Sequence, residues 1–250
     1  MRIGINTLYL IPGEVGGAEF YLRRQLVPMV DHDTRHEFVI FTNAENDAVL
    51  RRDLSGRARV RFVPLAFRAA RRAVRIIREQ TELPVKARHA GVEVLWSPGY
   101  TAPLCYGRPQ VVSILDMQYR RHPSDLSGPA RLATDILVRG GVRGGRRILT
   151  ISEFSKREIV TLTGARPDVV DVTPLAAGDT FTDGAGAGDA ARPASLGVPG
   201  DRPYLLCVAH SYPHKNLAAL VEAFGRMAAE VPHRLVMVGK PRRGEPALRN

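Results

Sequence analysis

Short apolar runs alternate with helical patterns through the first two-thirds of the sequence, and this alternation limits the fold more than any other feature. The apolar runs with the length and composition of strands are RIGINTL, HEFVIFT, RVRFVPL, VEVLWS, QVVSIL, RRILTIS and DVVDVTP. Helical patterns lie between them, around 17–30, 68–80, 128–139 and 153–163. Because parallel strands need crossover connections, strands that alternate with helices predict an α/β fold with a doubly wound parallel sheet.

Residues 182–203 differ from the rest of the chain, because they are rich in Gly, Ala and Pro and carry almost no periodic apolar signal. Such a composition is typical of a linker. The alternation then resumes with the strand pattern YLLCVAH, the helical pattern NLAALVEAFGRMAAEV and the strand pattern HRLVMVG. We therefore predict one domain over 1–182, followed by a linker and the first β-α-β unit of a second domain over 183–250.

One β-α-β unit is too small to close a sheet or to cover both of its faces. We therefore expect the chain to be a truncated piece of a longer two-domain protein, and we expect residues 204–250 to leave apolar surface exposed. The alternative is that this last unit joins the sheet of the first domain.

Glycines follow the first strand pattern, in the stretch IPGEVGGAEF. Their spacing is neither the G-x-G-x-x-G of a dinucleotide site nor that of a P-loop, which also needs a Lys-Ser/Thr pair. Gly16 and Gly17 stand at a predicted helix start, where bare backbone N–H groups can face an anion. The alternative interpretation is a flexible turn before a surface helix.

The charge balance favours anionic partners. Lys and Arg number 36 against 25 Asp and Glu, a net charge of +11, which suits nucleic acid, anionic lipid headgroups or phosphorylated small molecules. Cys105 and Cys207 are widely separated and lack metal-ligand spacing, so we expect a protein of the reducing cytoplasm. No apolar run approaches the roughly 20 residues that span a bilayer.

The segment AFRAARRAVRIIREQ contains five arginines at helical spacing. At about 100° per residue they share one arc of roughly 120°. This stripe consists of Arg68, Arg71, Arg72, Arg75 and Arg78. It is either a solvated helix face or a docking surface for anionic lipid at the inner face of a membrane.

The segment PYLLCVAHSYPHKNLAAL places charge at the start of a helix. A strand pattern ends, a turn follows, and His214, Lys215 and Asn216 stand at the mouth of the next helical pattern. Asn216 is a suitable N-cap, and Lys215 beside a helix N-terminus can partner a phosphate group. The alternative interpretation is a solvated lysine before a capped helix.

Five segments resemble, in order, motifs of the family-4 glycosyltransferases of the GT-B fold. GEVGGAEFY is similar to the family's acceptor-side glycine loop, and QVVSILDMQYRRHP is similar to V-V-x-x-H-D-x-x-x-x-x-x-P. RRILTISEFSKREIV resembles I-x-T-x-S-x-F-S, VDVTPLAAGDTF resembles V-x-P-x-G-V-D-x-x-F, and PYLLCVAHSYPHKNL resembles a strand followed by G-x-x-x-P-x-K-N-L. The resemblance implies an acceptor-side Rossmann-like domain, followed by the start of a Rossmann-like nucleotide-sugar-binding domain.

For the second domain, the resemblance implies donor-binding roles for Lys215, His210 and Asn216. Lys215 would neutralise the diphosphate of a nucleotide-sugar as it leaves. His210 stands where many family members have an arginine as a second phosphate contact, and Ala209 replaces the usual glycine. An imidazolium at His210 can still meet a phosphate.

For the first domain, the resemblance implies that Gly16 and Gly17 line the cleft where sugar and acceptor meet. Asp116 occupies the catalytic Asp of the family's His-Asp pair, whereas Leu115 replaces the His. Ser152 falls in the I-x-T-x-S segment, where it caps a helix or contacts the ligand.

The leading functional hypothesis is a glycosyltransferase, which the resemblance implies to be retaining and to need no metal or other cofactor. It would move a hexose from a nucleotide diphosphate sugar to a polysaccharide or lipid-linked acceptor, with peripheral contact to an anionic membrane. One alternative is a non-catalytic relic, which Leu115 favours. The other is a basic nucleic-acid-binding domain, which the sparse aromatics (6%) and the absence of a recognised binding motif disfavour.

Overall fold

The computed structural model describes residues 1–123, 126–178, 195–198 and 200–248. They belong to two compact units, Met1–Gly178 and Asp179–Asn250. The domain boundary predicted between residues 182 and 183 and most of the predicted linker lie outside the described residues. That boundary therefore stays a prediction.

All seven strands predicted for the first unit are confirmed. They are β1 (Arg2–Asn6), β2 (Glu37–Thr42), β3 (Val60–Pro64), β4 (Val94–Ser97), β5 (Gln110–Ser113), β6 (Arg147–Thr150) and β7 (Val170–Val172). Neighbouring strands pair in parallel in the order β3-β2-β1-β4-β5-β6-β7. The order reverses between β1 and β4, and in such sheets ligands bind outside the carboxyl ends of the strands at this switch point.

Each predicted helical pattern of the first unit contains a helix, and two short helices were not predicted. The helices are α1 (Gly17–His32), α2 (Asp47–Asp53), α3 (Arg72–His89), α4 (Gln118–Arg121), α5 (Gly128–Gly144) and α6 (Glu153–Thr163). The short helices α2 and α4 are the additions, and helices of only one or two turns give little periodicity in the sequence.

The sheet is buried on both faces. Phe38 and Ile40 of β2 belong to a hydrophobic cluster with residues of α1 and α2, whereas Val39 and Phe41 belong to a second cluster with residues of α3. A third cluster contains residues of β5, β6, α5 and α6. Because successive side chains of a strand point to opposite faces, the alternation in β2 shows that α1 and α3 cover opposite faces of the sheet.

The second unit contains β8 (Tyr204–Val208), a 3₁₀ turn (Pro213–Lys215), α7 (Leu217–Met227), β9 (Arg234–Val238) and a 3₁₀ turn (Glu245–Leu248). In the described part of the chain, β8 and β9 form their own parallel sheet, so the alternative that they join the first sheet is wrong. The prediction of exposed apolar surface is confirmed, since Leu206 is 57% exposed and Val208 73% exposed.

Candidate functional site

The loop after β1 is held in place by two buried amide side chains. The Nδ2 atom of Asn43 donates to the carbonyl oxygens of Leu8 and Leu10, both at 3.0 Å. The Nδ2 atom of Asn46 donates to the carbonyl oxygens of Thr7 at 2.7 Å and Leu10 at 3.1 Å. Buried carbonyl groups need such partners, so these bonds fix the path of the chain from the end of β1 toward α1.

The glycine loop reaches the start of α1 in an open position. Gly16 is the N-cap residue of α1, with φ 56° and ψ −127°, a conformation that favours glycine. The Glu19 carboxylate accepts a hydrogen bond of 2.6 Å from the N–H of Gly13, which ties the loop to the helix. A Cβ atom added at Gly16 or Gly17 would meet no heavy atom of the described residues within 4 Å. The predicted helix start is confirmed, and ligand contact at these glycines stays a prediction.

At the switch point, the ring of Tyr9, from the loop after β1, packs on the backbone of Gly99, in the loop after β4. A Cβ atom added at Gly99 would stand 2.2 Å from Cδ1 of Tyr9, so only glycine fits under this ring. The Tyr9 hydroxyl donates to the carbonyl oxygen of Ala18 at 3.1 Å. Burial, reinforced by Tyr21 and Glu19, raises the pKa of Tyr9, which keeps its hydroxyl protonated.

Tyr100 and Asp116 link the loops after β4 and β5. Tyr100 has φ 69°, an uncommon left-handed conformation for a residue with a side chain. Its buried hydroxyl lies close enough to Asp116 for charge and hydrogen-bonding interactions between the two residues. Burial, then the charge of Asp116, raise the pKa of Tyr100 well above its usual value. Sequence reasoning missed Tyr100, because its role depends on a fold that brings the two loops together.

Leu115 and Asp116 are adjacent but have different surroundings. Leu115 is 6% exposed and belongs to the cluster that covers the α1 face of the sheet, together with Tyr9 and Trp96. The Asp116 carboxylate accepts a hydrogen bond of 3.0 Å from the N–H of Gln118 at the start of α4. Where the family has a histidine, this chain therefore has a core side chain, and only the neighbouring carboxylate has polar partners.

Ser152 is the N-cap of α6, as predicted. Its Oγ atom accepts a hydrogen bond of 3.1 Å from the N–H of Ser155. The hydroxyl donates to Oγ of Ser155, also at 3.1 Å. The side chain is half-buried, and its contact with a ligand stays a prediction.

In the second unit, backbone donors of the β9 loop bind the β8 loop. The Lys240 N–H donates to Nδ1 of His210 at 2.9 Å, and the Arg242 N–H donates to Oγ of Ser211 at 2.6 Å. The Gly244 N–H donates to the carbonyl oxygen of Ser211 at 2.7 Å. The carboxyl ends of β8 and β9 are thereby joined, and they bring Lys240 and Arg242 to the side of the sheet that carries His210.

Aromatic contacts organise the turn that leads to Lys215. The rings of Tyr212 and His214 stack with centroids 5.4 Å apart, and the Arg242 guanidinium lies 5.7 Å from the Tyr212 centroid. Lys215 ends the 3₁₀ turn with an exposed side chain, and it has no ion pair within the part of the chain that the structure describes. Sequence reasoning missed Arg242 and Lys240, although the basic stretch GKPRRGE directly follows a predicted strand.

Asn216 occupies the N-cap position of α7, but its side chain makes no capping hydrogen bond, so the predicted cap is wrong in its chemistry. Its backbone has φ 50° and ψ 39°, whereas a side-chain cap needs an extended residue. Asparagine is one of the few residues that tolerate this left-handed conformation. Asn216 therefore turns the chain from the 3₁₀ turn into α7.

The predicted arginine stripe does not form one helical arc. Helix α3 begins at Arg72, so Arg68 and Arg71 precede it. Residues 65–69 alternate between buried and exposed, and the Ala69 N–H donates to the Glu45 carboxylate at 2.8 Å, which holds this segment in an extended path. The stripe geometry predicted from helical spacing is therefore wrong, and only its C-terminal part lies on α3.

No group of three or more His, Cys, Asp or Glu side chains is arranged to hold a metal ion in residues 1–123, 126–178, 195–198 and 200–248. Cys105 and Cys207 are free thiols. Among the described helices, none is both long enough and apolar enough to cross a membrane.

No family model matches the chain, and no curated protein sequence matches it. Solved structures do match it in fold. HepE from Anabaena, in complex with UDP and glucose, is 17% identical with a TM-score of 0.67, covering 100% of this chain and 64% of HepE. The lipopolysaccharide outer core galactosyltransferase WaaB is 12% identical with a TM-score of 0.55, covering 100% of this chain and 64% of WaaB.

A third match is UDP-GlcNAc 2-epimerase from Neisseria meningitidis bound to UDP-GlcNAc, 12% identical with a TM-score of 0.51, covering 100% of this chain and 67% of the epimerase. At these identities the likeness shows the fold. This chain therefore has the α/β, Rossmann-like architecture of the GT-B glycosyltransferases, and it spans about two thirds of the length of these proteins.

Proposed function

We propose that this protein is a retaining family-4 glycosyltransferase that moves a hexose from a nucleotide diphosphate sugar to a hydroxyl of a polysaccharide or lipid-linked acceptor. The observation that carries the proposal is the cationic edge of the second unit, where Lys215, Lys240 and Arg242 follow the carboxyl ends of two parallel strands. This is the edge at which folds of this class bind ligands. HepE and the epimerase were solved with UDP and UDP-GlcNAc, respectively, which supports a nucleotide-sugar ligand for the shared fold.

The donor chemistry follows from charge. During transfer the bond between the anomeric carbon and the diphosphate oxygen breaks, a bond forms from the acceptor hydroxyl oxygen to that carbon, and the hydroxyl proton passes to the departing diphosphate. Negative charge grows on the departing diphosphate, so a cation beside it stabilises the transition state more than the ground state. We assign this role to Lys215, with His210 as a second hydrogen-bond donor and Asn216 as the residue that orients the turn.

The acceptor chemistry belongs to the first unit in this proposal. Gly16 and Gly17 leave room for a sugar to approach the backbone at the start of α1, since no atom of the described residues fills that space. Asp116, held by Tyr100, is the proposed catalytic carboxylate, which accepts a hydrogen bond from a sugar hydroxyl. Ser152 borders the same edge of the sheet, after β6.

We place the activity in the cytoplasm, with peripheral contact to the inner face of an anionic membrane. A lipid-linked acceptor has its sugar at that surface, and a net charge of +11 favours approach to anionic lipid. The proposed donor chemistry uses side chains alone, without a metal or another cofactor.

A panel of UDP-, GDP-, ADP- and dTDP-sugars tests the proposal. We expect one donor to release its nucleoside diphosphate slowly in water and faster with a saccharide acceptor, with NMR showing a new glycosidic bond of unchanged anomeric configuration. Interconversion of UDP-GlcNAc without release would instead indicate an epimerase. The absence of binding to every donor would contradict a nucleotide-sugar enzyme and favour the relic.

A further inference from the structure

Helices α3 and α5 of the first unit expose large apolar side chains. Ile77 on α3 is 59% exposed, and Leu132 and Ile136 on α5 are 63% and 55% exposed. Leu132 and Ile136 are four residues apart and therefore lie on one side of α5. Leu104 is 43% exposed, and its side chain lies against Gly140, four residues beyond Ile136. The apolar side chains thus extend along α5 to the segment that precedes β5.

The two helices are direct neighbours. Near their N-terminal ends, the guanidinium of Arg72 donates to Oγ1 of Thr134 at 2.6 Å. Farther along α3, the Gln80 amide donates to the carbonyl oxygen of Ala102 at 3.1 Å and accepts from the N–H of Leu104 at 2.9 Å. Their outer sides therefore form one continuous surface, which we call the α3–α5 face.

Arginines on this face lack acidic partners. Arg71 precedes α3, and Arg131 and Arg143 lie on α5; all are exposed, and none forms an ion pair within the described residues. The acidic residues of the two helices are already engaged. Glu79 is buried, Glu82 pairs with Arg78 and Lys86, and Asp135 pairs with Arg120 and Arg139.

Arg72 and Arg75 add two further charges at the start of α3. Burial, then the charge of Arg75, lower the pKa of Arg72. The Nε atom of Arg75 is buried and has no hydrogen-bond partner among the described residues. Two guanidinium groups that repel each other without a carboxylate between them gain stability when an anion is added.

We propose that the α3–α5 face docks on an anionic lipid bilayer, with Ile77, Leu132 and Ile136 at the headgroup boundary and the surrounding arginines on lipid phosphates. Aliphatic side chains set among unpaired cations match an interfacial surface. Single-stranded nucleic acid is a poorer fit, because neither helix contains an aromatic residue on which a base could stack. The proposal deepens the proposed function, since it names the surface that brings the enzyme to a membrane-bound acceptor.

Co-sedimentation with vesicles tests this docking, using phosphatidylcholine alone and phosphatidylcholine mixed with phosphatidylglycerol. We expect the wild type to sediment only with the anionic vesicles. The variant Arg71→Gln/Arg131→Gln/Arg143→Gln should lose roughly fivefold in binding for each arginine, because each such cation contributes about 1 kcal/mol at an anionic surface. These side chains are exposed, so the variant should fold normally.

A matched control removes the same charge elsewhere. The variant Arg52→Gln/Arg61→Gln/Arg157→Gln replaces three exposed arginines outside the face and should bind the anionic vesicles nearly as well as the wild type. Equal losses in the two arginine variants would show that net charge alone drives binding and would overturn the proposal.

The apolar half of the face has its own test. Wild-type protein should keep part of its vesicle binding at high salt, and the variant Ile77→Ser/Leu132→Ser/Ile136→Ser should lose that part. Donor hydrolysis by the variant should stay unchanged, so a failure of membrane docking can be told apart from a failure of the proposed function. Wild-type binding by this variant would overturn the insertion of these side chains. A wild-type dimer in analytical ultracentrifugation that dissociates in this variant would assign the face to a second copy and would also overturn the proposal.

Discussion

The Nδ1 atom of His210 accepts a hydrogen bond of 2.9 Å from the backbone N–H of Lys240, and this bond joins the loops after β8 and β9. With Nδ1 engaged by this backbone donor, Nε2 is the His210 ring atom left to meet a ligand. The contact of His210 with a diphosphate, through Nε2, stays a prediction.

Replacing His210 separates its two contacts. His210→Asn keeps an acceptor near the Lys240 N–H but removes the Nε2 donor, so we expect unchanged thermal stability and a roughly tenfold loss of nucleoside diphosphate affinity. His210→Ala should lose both, with about 1 kcal/mol less stability. Calorimetric titration and thermal unfolding measure the two effects, and wild-type affinity in His210→Asn would remove His210 from the donor site.

The glycine pair at α1 offers a second matched comparison. Gly17→Ala adds a methyl group into open space and replaces glycine in a helix by a better helix former, so the thermal midpoint should not fall. Sugar transfer should fall at least tenfold, because the acceptor needs that space. Gly16→Ala should lower the thermal midpoint, since φ is 56° there. A Gly17→Ala protein with wild-type transfer would show that no ligand approaches this backbone.

Tyr100→Phe tests whether the left-handed tyrosine positions Asp116. The variant keeps the ring and loses only the hydroxyl, so kcat should fall about tenfold with little change in KM for the donor. Because the two residues share one interaction, adding Tyr100→Phe to Asp116→Asn should cost nothing more than Asp116→Asn alone. Independent, additive losses in the double variant would contradict a positioning role.

Acid unfolding tests the turn after α1. The His36 ring and the Arg35 N–H, as hydrogen-bond donors, lower the pKa of Asp33 to about 2. In unfolded protein an Asp has a pKa of about 3.9, so the stabilisation is present above that pH and is lost as the pH falls through about 2. Asp33→Asn should therefore show a shallower decline of the free energy of unfolding between about pH 4 and pH 2. An unchanged decline would contradict this.

The sheet could be predicted from the sequence because its central strands are largely buried on both faces and appear as short apolar runs. The start of α3 could not be predicted in this way. Spacing at 3.6 residues extends the helical pattern back to Arg68, but Leu65, Phe67 and Ala69 are buried in alternation, which is the period of an extended chain. Over so short a stretch, the apolar pattern of a helix cannot be told from that of an extended chain, and tertiary packing decides which one forms.

The candidate site was predictable only in part. Lys215 and Asp116 follow predicted strands and match family motifs, so sequence alone indicates them. The bond between His210 and Lys240 depends on the parallel pairing of β8 with β9, two strands about 30 residues apart in the chain. Likewise, the contact of Tyr100 with Asp116 depends on the adjacency of β4 and β5 and on a backbone conformation that tyrosine rarely adopts.

Lys215→Ala tests the central claim most directly, with Lys86→Ala as a matched control on the outer side of α3, where Lys86 pairs with Glu82. A hydrogen bond to a charged group contributes about 1.5–3 kcal/mol, so kcat/KM on the preferred nucleotide-sugar should fall roughly ten- to a hundredfold in Lys215→Ala and stay unchanged in Lys86→Ala. The loss in kcat should exceed the loss in donor affinity, because charge on the diphosphate grows toward the transition state. A Lys215→Ala protein that matches the wild type in both quantities would contradict the account.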